Sequence, residues 1–327
     1  MRSNISPILL CISTLFSVEA SAHVRWFVSS TDHSVYFEWH GLYYLLIALA
    51  AVYALVVYVL DKQLTPVYRK RFFKPWRTAL DQWMVLAYAC GLTLILISFE
   101  RIFLAPNLVL EKHLEHYLMI QALCGVALVS ALSQRISGVA LFVLCLLVIY
   151  AVSMALWIDY IAEFMAVSIA LVLCGNHRQW ALTVLRWGLG LQLMILAVHN
   201  KLLEPALGLE FLKMHPWNFM HMIGVSQFDD LLFVFAAGLA ELTFGLLILL
   251  GIGTRVVIAT VAVFFFLTSV ILGMHELVGH IPIMACCLVL LSEGGGYSFK
   301  ALFGLIFFKA QNNNQSYPVA TSNSGVV

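Results

Sequence analysis

The chain has 327 residues, of which 62% are hydrophobic and only 11% charged, with a formal net charge of +1 and a mean hydropathy of +0.94. A soluble domain is roughly half apolar and about a quarter charged, so this composition excludes an ordinary soluble domain and indicates an all-α polytopic membrane protein with the lipid bilayer as its main partner. The near-neutral charge offers no electrostatic basis for binding nucleic acid.

Residues 1–22 read as a secretory signal peptide. Arg2 supplies a positive start, Ile8 to Val18 an apolar core, and Ala20-Ser21-Ala22 an A-x-A cleavage site. A cut after Ala20, or no cut at all, fits the same residues less directly. Cleavage after Ala22 makes His23 the mature N-terminus of an external segment, 23–39, anchored by Trp26 and Phe27. Apolar runs of membrane-spanning length follow near 40–60, 82–99, 117–133, 138–157, 160–175, 182–199, 231–251, 256–274 and 278–292. They predict about nine transmembrane helices. The polar end, 309–327, reads as a disordered tail.

The loop "DKQLTPVYRKRFFKPWR" (61–77), which completes the leading helix and basic loop at 40–79, holds six Lys and Arg residues and belongs on the cytoplasmic side. With alternating spans, Arg135, Arg178, Arg255, Lys300 and Lys309 fall on that side too. The expected location is a bacterial inner membrane, with the mature N-terminus outside, facing the periplasm, and the C-terminus cytoplasmic. Of the seven cysteines, Cys11 lies in the signal and the others lie inside apolar runs. No disulfide framework is expected.

Two stretches of the chain resemble each other. "GLTLILISFERIFLAPNLVL" (91–110) aligns without gaps on "GLQLMILAVHNKLLEPALGL" (190–209), matching Gly91 to Gly190 and Pro106 to Pro205. Further on, "QALCGVALVSALSQR" (121–135) aligns on "ELTFGLLILLGIGTR" (241–255), matching Gln121 to Glu241, Gly125 to Gly245 and Arg135 to Arg255. The expected organisation is two four-helix units, 80–175 and 182–297, after one leading helix. An even number of spans makes them parallel repeats. The second unit carries an inserted external loop, 208–228.

The second unit resembles the DoxX-like membrane proteins. The residues concerned are "LRWGLGLQLMILAVHNKLLEP" (185–205), "FAAGLAELTFGLLILLGIGTR" (235–255) and "HELVGHIPI" (275–283). The resemblance implies a four-helix unit and assigns functional positions to Lys201, Glu241, Gly245, Arg255 and His275. In the first unit Ile102, Gln121 and Ala155 replace Lys201, Glu241 and His275. Because some DoxX-like proteins are membrane subunits of quinone-linked oxidoreductases, Lys201, Glu241 and His275 are implied cofactor-binding residues.

Glu241 lies about midway along its span, where a charge costs roughly 2.5–3.5 kcal/mol and marks function by default. It is the candidate buried proton carrier; a merely structural ion pair is the alternative. Ten of the eleven histidines fall on the external side. Imidazole is the commonest metal ligand and thioether sulfur suits copper(I). His199, His215, His221, His275, His280, Met214, Met222 and His23 are therefore candidate metal ligands, with Glu276 beside them. "KMHPWNFMHM" (213–222) would form a lid over His275 and His280. Against this, histidine also sits comfortably at a membrane interface without binding anything.

No P-loop, CxxC or G-x-S-x-G motif marks a soluble catalytic domain. Three readings stay open at this point: binding or handling of a transition metal, copper first; a quinone-linked membrane subunit; and a non-catalytic assembly partner of another membrane or periplasmic protein.

Overall fold

Inside a hydrocarbon layer every backbone polar group needs an internal partner, which favours uninterrupted helices. The computed structural model describes residues 28, 34–71, 81–105, 108, 115–130, 133–299 and 301, without the side chains of 64–71, 155, 156, 222, 271, 274 and 275. The expected signal peptide, His23 and the tail 309–327 lie outside the described residues. Among the described residues there are eleven α-helices and no strand. They are α1 Gly41–Arg71, α2 Gln82–Phe99, α3 His116–Val129, α4 Gln134–Ala151, α5 Met154–Leu173, α6 Arg178–Ala197, α7 Pro205–Met214, α8 Phe219–Met222, α9 Asp230–Leu250, α10 Thr254–Leu272 and α11 Met274–Glu293.

A helix of 14 residues or more occupies each of the nine apolar runs. Six are long and apolar enough to cross a membrane: those in α1, α2, α4, α6, α9 and α11. α3 and most of α10 are apolar but shorter. One boundary differs from the hydropathy reading. The break between the fourth and fifth helices falls at Val152 and Ser153, both extended, rather than near 158–159. A carboxylate in an apolar stretch looks like a loop in a hydropathy profile. Here Asp159 instead sits within α5 and is fully buried.

Local signals set the helix ends. Asp81 accepts a hydrogen bond from the Trp83 N–H at 3.0 Å and caps α2, and Asp229 accepts from the Leu232 N–H at 2.7 Å and caps α9, as N-cap carboxylates do. α9 ends at Gly251, in the left-handed region at φ 76°. A side chain there would also collide with the Arg186 guanidinium.

α2 packs on α3, α4 on α5, α5 on α6, α6 on α9 and α10 on α11; α11 closes back onto α2, and α1 lies along α9. One buried core runs through these helices, including Leu94, Leu141, Val167, Leu189, Phe244 and Leu290. Several helix contacts are close enough to exclude a side chain, and two of them pair glycine with glycine. A Cβ on Gly91 would stand 2.7 Å from the Gly125 carbonyl oxygen, and the converse holds. The same is true of Gly190 and Gly245. Small residues of this kind let membrane helices approach backbone to backbone. Along the outside of α1, Leu45, Val52 and Leu55 are exposed, as a lipid-facing surface requires.

Arg186, on α6, is fully buried and ties three segments together. Its Nε donates to the Gly295 carbonyl (2.8 Å), its Nη1 to those of Ile248 and Leu249 (2.8 and 2.9 Å), and its Nη2 to that of Tyr297 (2.7 Å). The guanidinium thus satisfies the last carbonyls of α9, which have no partner within the helix, and complements the negative end of its dipole. Arg186→Ala is expected to destabilise the fold by about 3 kcal/mol or more, measured as a lower thermal unfolding midpoint in detergent. An unchanged midpoint would contradict this clamp.

Candidate functional site

α6 runs regularly to Ala197 and then widens into a π-helical turn, Val198–Leu202, before Pro205 begins α7. Such turns insert an extra residue into the helix and are frequent at functional sites. Here the turn sends consecutive side chains to different neighbours, His199 and Asn200 to α5 and Lys201 to α9.

Lys201 Nζ lies 2.5 Å from Glu241 Oε1, with only 4% and 6% of the two side chains exposed. The contact is a short, charge-assisted hydrogen bond. Gly238, one turn before Glu241, makes room for it: a Cβ there would stand 3.1 Å from Lys201 Cβ. Glu241 Oε2 accepts no hydrogen bond. On α11, Glu276 is fully buried and both its carboxylate oxygens lack hydrogen-bond donors. Its Oε1 stands 3.5 Å from His280 Nδ1, and Lys201 is near enough to act on it electrostatically. His280 is itself buried, with Ser269 Oγ 3.3 Å from Nδ1 and its ring on Phe265.

A second branch leads to α5. His199 Nδ1 lies 2.8 Å from Asp159 Oδ1, and Asn200 Nδ2 donates to Asp159 Oδ2 at 3.3 Å. Gln192 on α6 donates to the Asp159 carbonyl and accepts from the Glu163 N–H at 3.3 Å. Glu163 is also buried, and its Oε1 accepts no hydrogen bond. On the outer side, His199 Nε2 faces the half-exposed Glu204 at 3.9 Å. The chain of polar groups therefore extends from a partly exposed carboxylate to fully buried ones.

The position aligned with Glu241 is built differently. Gln121 Oε1 accepts from the Leu104 N–H at 2.7 Å. Its Nε2 donates to Ser98 Oγ (2.9 Å) and to the carbonyls of Ile102 (3.0 Å) and Leu94 (3.3 Å). A neutral amide with all its groups bonded holds the end of α2 where an ion pair holds the end of α6.

The remaining candidate residues are dispersed. His215 packs against Phe211 and Trp217, His221 is exposed, and Met214 is 51% exposed. The side chains of His275 and Met222, and the whole of His23, lie outside the described residues. Among the described residues no group of three His, Cys, Asp or Glu side chains is arranged to hold a metal ion. The cation that pairs with Glu241 is the ammonium of Lys201. All six described cysteines are buried and form no disulfide.

Hydropathy reasoning passed over Asp159, Glu163, Gln192 and Asn200. The available signal was a pair of carboxylates four residues apart, on one face of an otherwise apolar helix. Compared with known proteins, the chain matches no family model, no curated protein and no solved structure.

Breaking a buried ion pair from one side strands a charge, whereas removing both charges does not. Lys201→Met alone is expected to destabilise the protein by about 3 kcal/mol, and Lys201→Met with Glu241→Met by much less. Equal losses in the single and double variants, measured by thermal unfolding, would show that the two side chains are not coupled.

Proposed function

We propose that this chain is a proton-exchanging membrane subunit of a quinone-linked oxidoreductase in a bacterial inner membrane. The observation that carries the reading is the buried Lys201–Glu241 pair with Glu276 beside it. The ammonium bonds Glu241 and acts on Glu276 through its field, and His280 adjoins Glu276. In apolar surroundings such a set approaches neutrality when one proton is shared among its members, because an uncompensated buried charge is very costly. A quinol gives up protons along with its electrons. A buried carboxyl holding an exchangeable proton is a group able to carry one of them. Lys201 sets the charge of the site, Glu241 and Glu276 hold the proton, and Glu204, His199 and Asp159 line a route toward the rim.

This reading includes a duplicated architecture of two parallel four-helix units, α2–α5 and α6 with α9–α11, following α1. Two facts support it. The glycines that match in sequence, Gly91 with Gly190 and Gly125 with Gly245, make the same mutual contact in each half. The contact of α5 with α6 and that of α11 with α2 are also what a two-fold relation between halves would produce. The basic loop at 61–77 supports a cytoplasmic end near Arg186 and an outer end near His199. The DoxX-like resemblance agrees with the positions of Lys201, Glu241 and Gly245 in the cluster.

A second reading, handling of a transition metal such as copper at the outer end, is favoured by His199 alone. Its Nδ1 is held by Asp159, the arrangement an imidazole ligand commonly takes, while its Nε2 faces the partly exposed Glu204. His275 would have to complete such a site. Elemental analysis of protein purified without a histidine tag separates the two readings.

Protein purified under native conditions is expected to yield a quinone in its organic extract and to be thermally stabilised by an added quinol analogue. In the protein that inserts and folds, Glu241→Gln should lower quinol-dependent turnover by about 100-fold or more. No extracted quinone, together with no quinol-induced thermal shift, would overturn the reading.

A further inference from the structure

A cavity of about 460 Å³ lies between α1 and α9, on a face of α9 different from the one carrying Glu241. That volume is within the usual range for small-molecule sites. Its walls are Leu42, Leu46 and Ala50 on α1 and Ala236, Leu239 and Ala240 on α9. Phe219, Met220 and Ile223, from the inserted segment, cover one end. At the other end Tyr53 and Phe244 meet edge to face at 5.6 Å and form a floor.

We propose that this cavity is a binding site for a single hydrocarbon chain one leaflet long, an acyl or isoprenoid tail whose polar head stays at the membrane interface. Three observations lead there. First, the cavity has no free hydrogen-bonding group. The Thr243 hydroxyl donates to the Leu239 carbonyl at 2.7 Å, and the Tyr53 hydroxyl is engaged with Thr260. A polar ring or headgroup placed inside would leave its own polar atoms unpaired, at a substantial cost, whereas a hydrocarbon loses nothing.

Second, the length fits. Leu42 and Tyr53 are eleven residues apart on one helix, which is about 16 Å of rise, close to half of the roughly 30 Å hydrocarbon thickness. α1 and α9 run in the same direction, with Tyr43 on Phe235 at the top and Tyr53 on Phe244 at the bottom, so both walls have this depth. Third, the cavity is continuous with the lipid-facing surface. Leu45 and Leu49 line it yet remain 52% and 39% exposed. At its upper end Trp39 and Tyr44 are 56% and 61% exposed, the aromatic belt that marks a headgroup level.

The site stands on this geometry alone and does not depend on the proton-exchanging core. "KMHPWNFMHM" thereby acquires a role that its histidines do not supply: Phe219 and Met220 roof a hydrocarbon slot.

The test is photolabelling of the full chain in phospholipid nanodiscs with a diazirine-bearing fatty acid, followed by peptide mapping. Label is expected to concentrate on 42–53, 219–223 and 233–244, and to be displaced by an unlabelled chain in a saturable way. Displacement by fatty acid assigns an acyl tail, and displacement by an isoprenoid quinone assigns an isoprenoid tail. Ala240→Phe, which fills the cavity, should reduce label by about fivefold or more, while Leu123→Ala, on the exposed face of α3, should leave it unchanged. Label spread equally over other lipid-facing residues, such as Val263 and Phe266, and not displaced by either competitor, would overturn the proposal even if the Ala240→Phe protein failed to fold.

Discussion

A charge inside an apolar bundle has to be answered by another charge or by hydrogen bonds, because water is not there to do it. Much of the arrangement between α5, α6, α9 and α11 follows from that constraint. Lys201 can sit among these helices only because Glu241 meets it. The π-helical turn that delivers Lys201 inward also delivers Asn200 and His199 to Asp159. Arg186 obeys the same rule near the far end of α6, where main-chain carbonyls replace carboxylates as acceptors. Glu276 and Glu163 satisfy the rule least, since buried oxygens on both accept no hydrogen bond. Groups left in that condition are costly for folding, and their retention is better explained by chemistry than by stability.

The comparison of Gln121 with Glu241 shows how little is needed to separate a neutral, fully bonded position from an ionisable one. Gln121 holds the end of α2, and Glu241 holds the π-helical turn at the end of α6. Gln121 does so with four hydrogen bonds, completed by a loop in which Leu104 takes the left-handed backbone at φ 63°. Glu241 does so with one ion pair and keeps an oxygen without a donor. An amide cannot ionise, so only the second position can exchange a proton.

Much of the fold was legible because period and length are local properties. Apolar runs located α1–α6 and α9–α11, and the glycines that align in the two halves lie at two of the close helix contacts. Glu241 was legible as a lone acid in mid-span. Asp159 was not: a hydropathy profile treats any carboxylate as a break, and only the packing of α5 against α6 shows it enclosed. The Lys201–Glu241 contact was equally hidden, since forty residues separate the two and the π-helical turn has no simple sequence marker. The surroundings of the histidines were hidden in the same way. His215, His221 and His280, all expected toward one end, occupy three different environments: an aromatic stack, an exposed position and a buried polar pocket.

The central claim is that the cluster around Lys201 holds a proton that exchanges. Infrared difference spectroscopy of the protein in lipid nanodiscs, comparing ordinary and heavy water, tests it most directly. The account predicts a protonated carboxyl band at neutral pH that shifts on deuteration and disappears when Glu241 and Glu276 are both changed to Gln. A spectrum in which that double substitution removes only ionised carboxylate bands, with no exchangeable carboxyl signal lost, would contradict it.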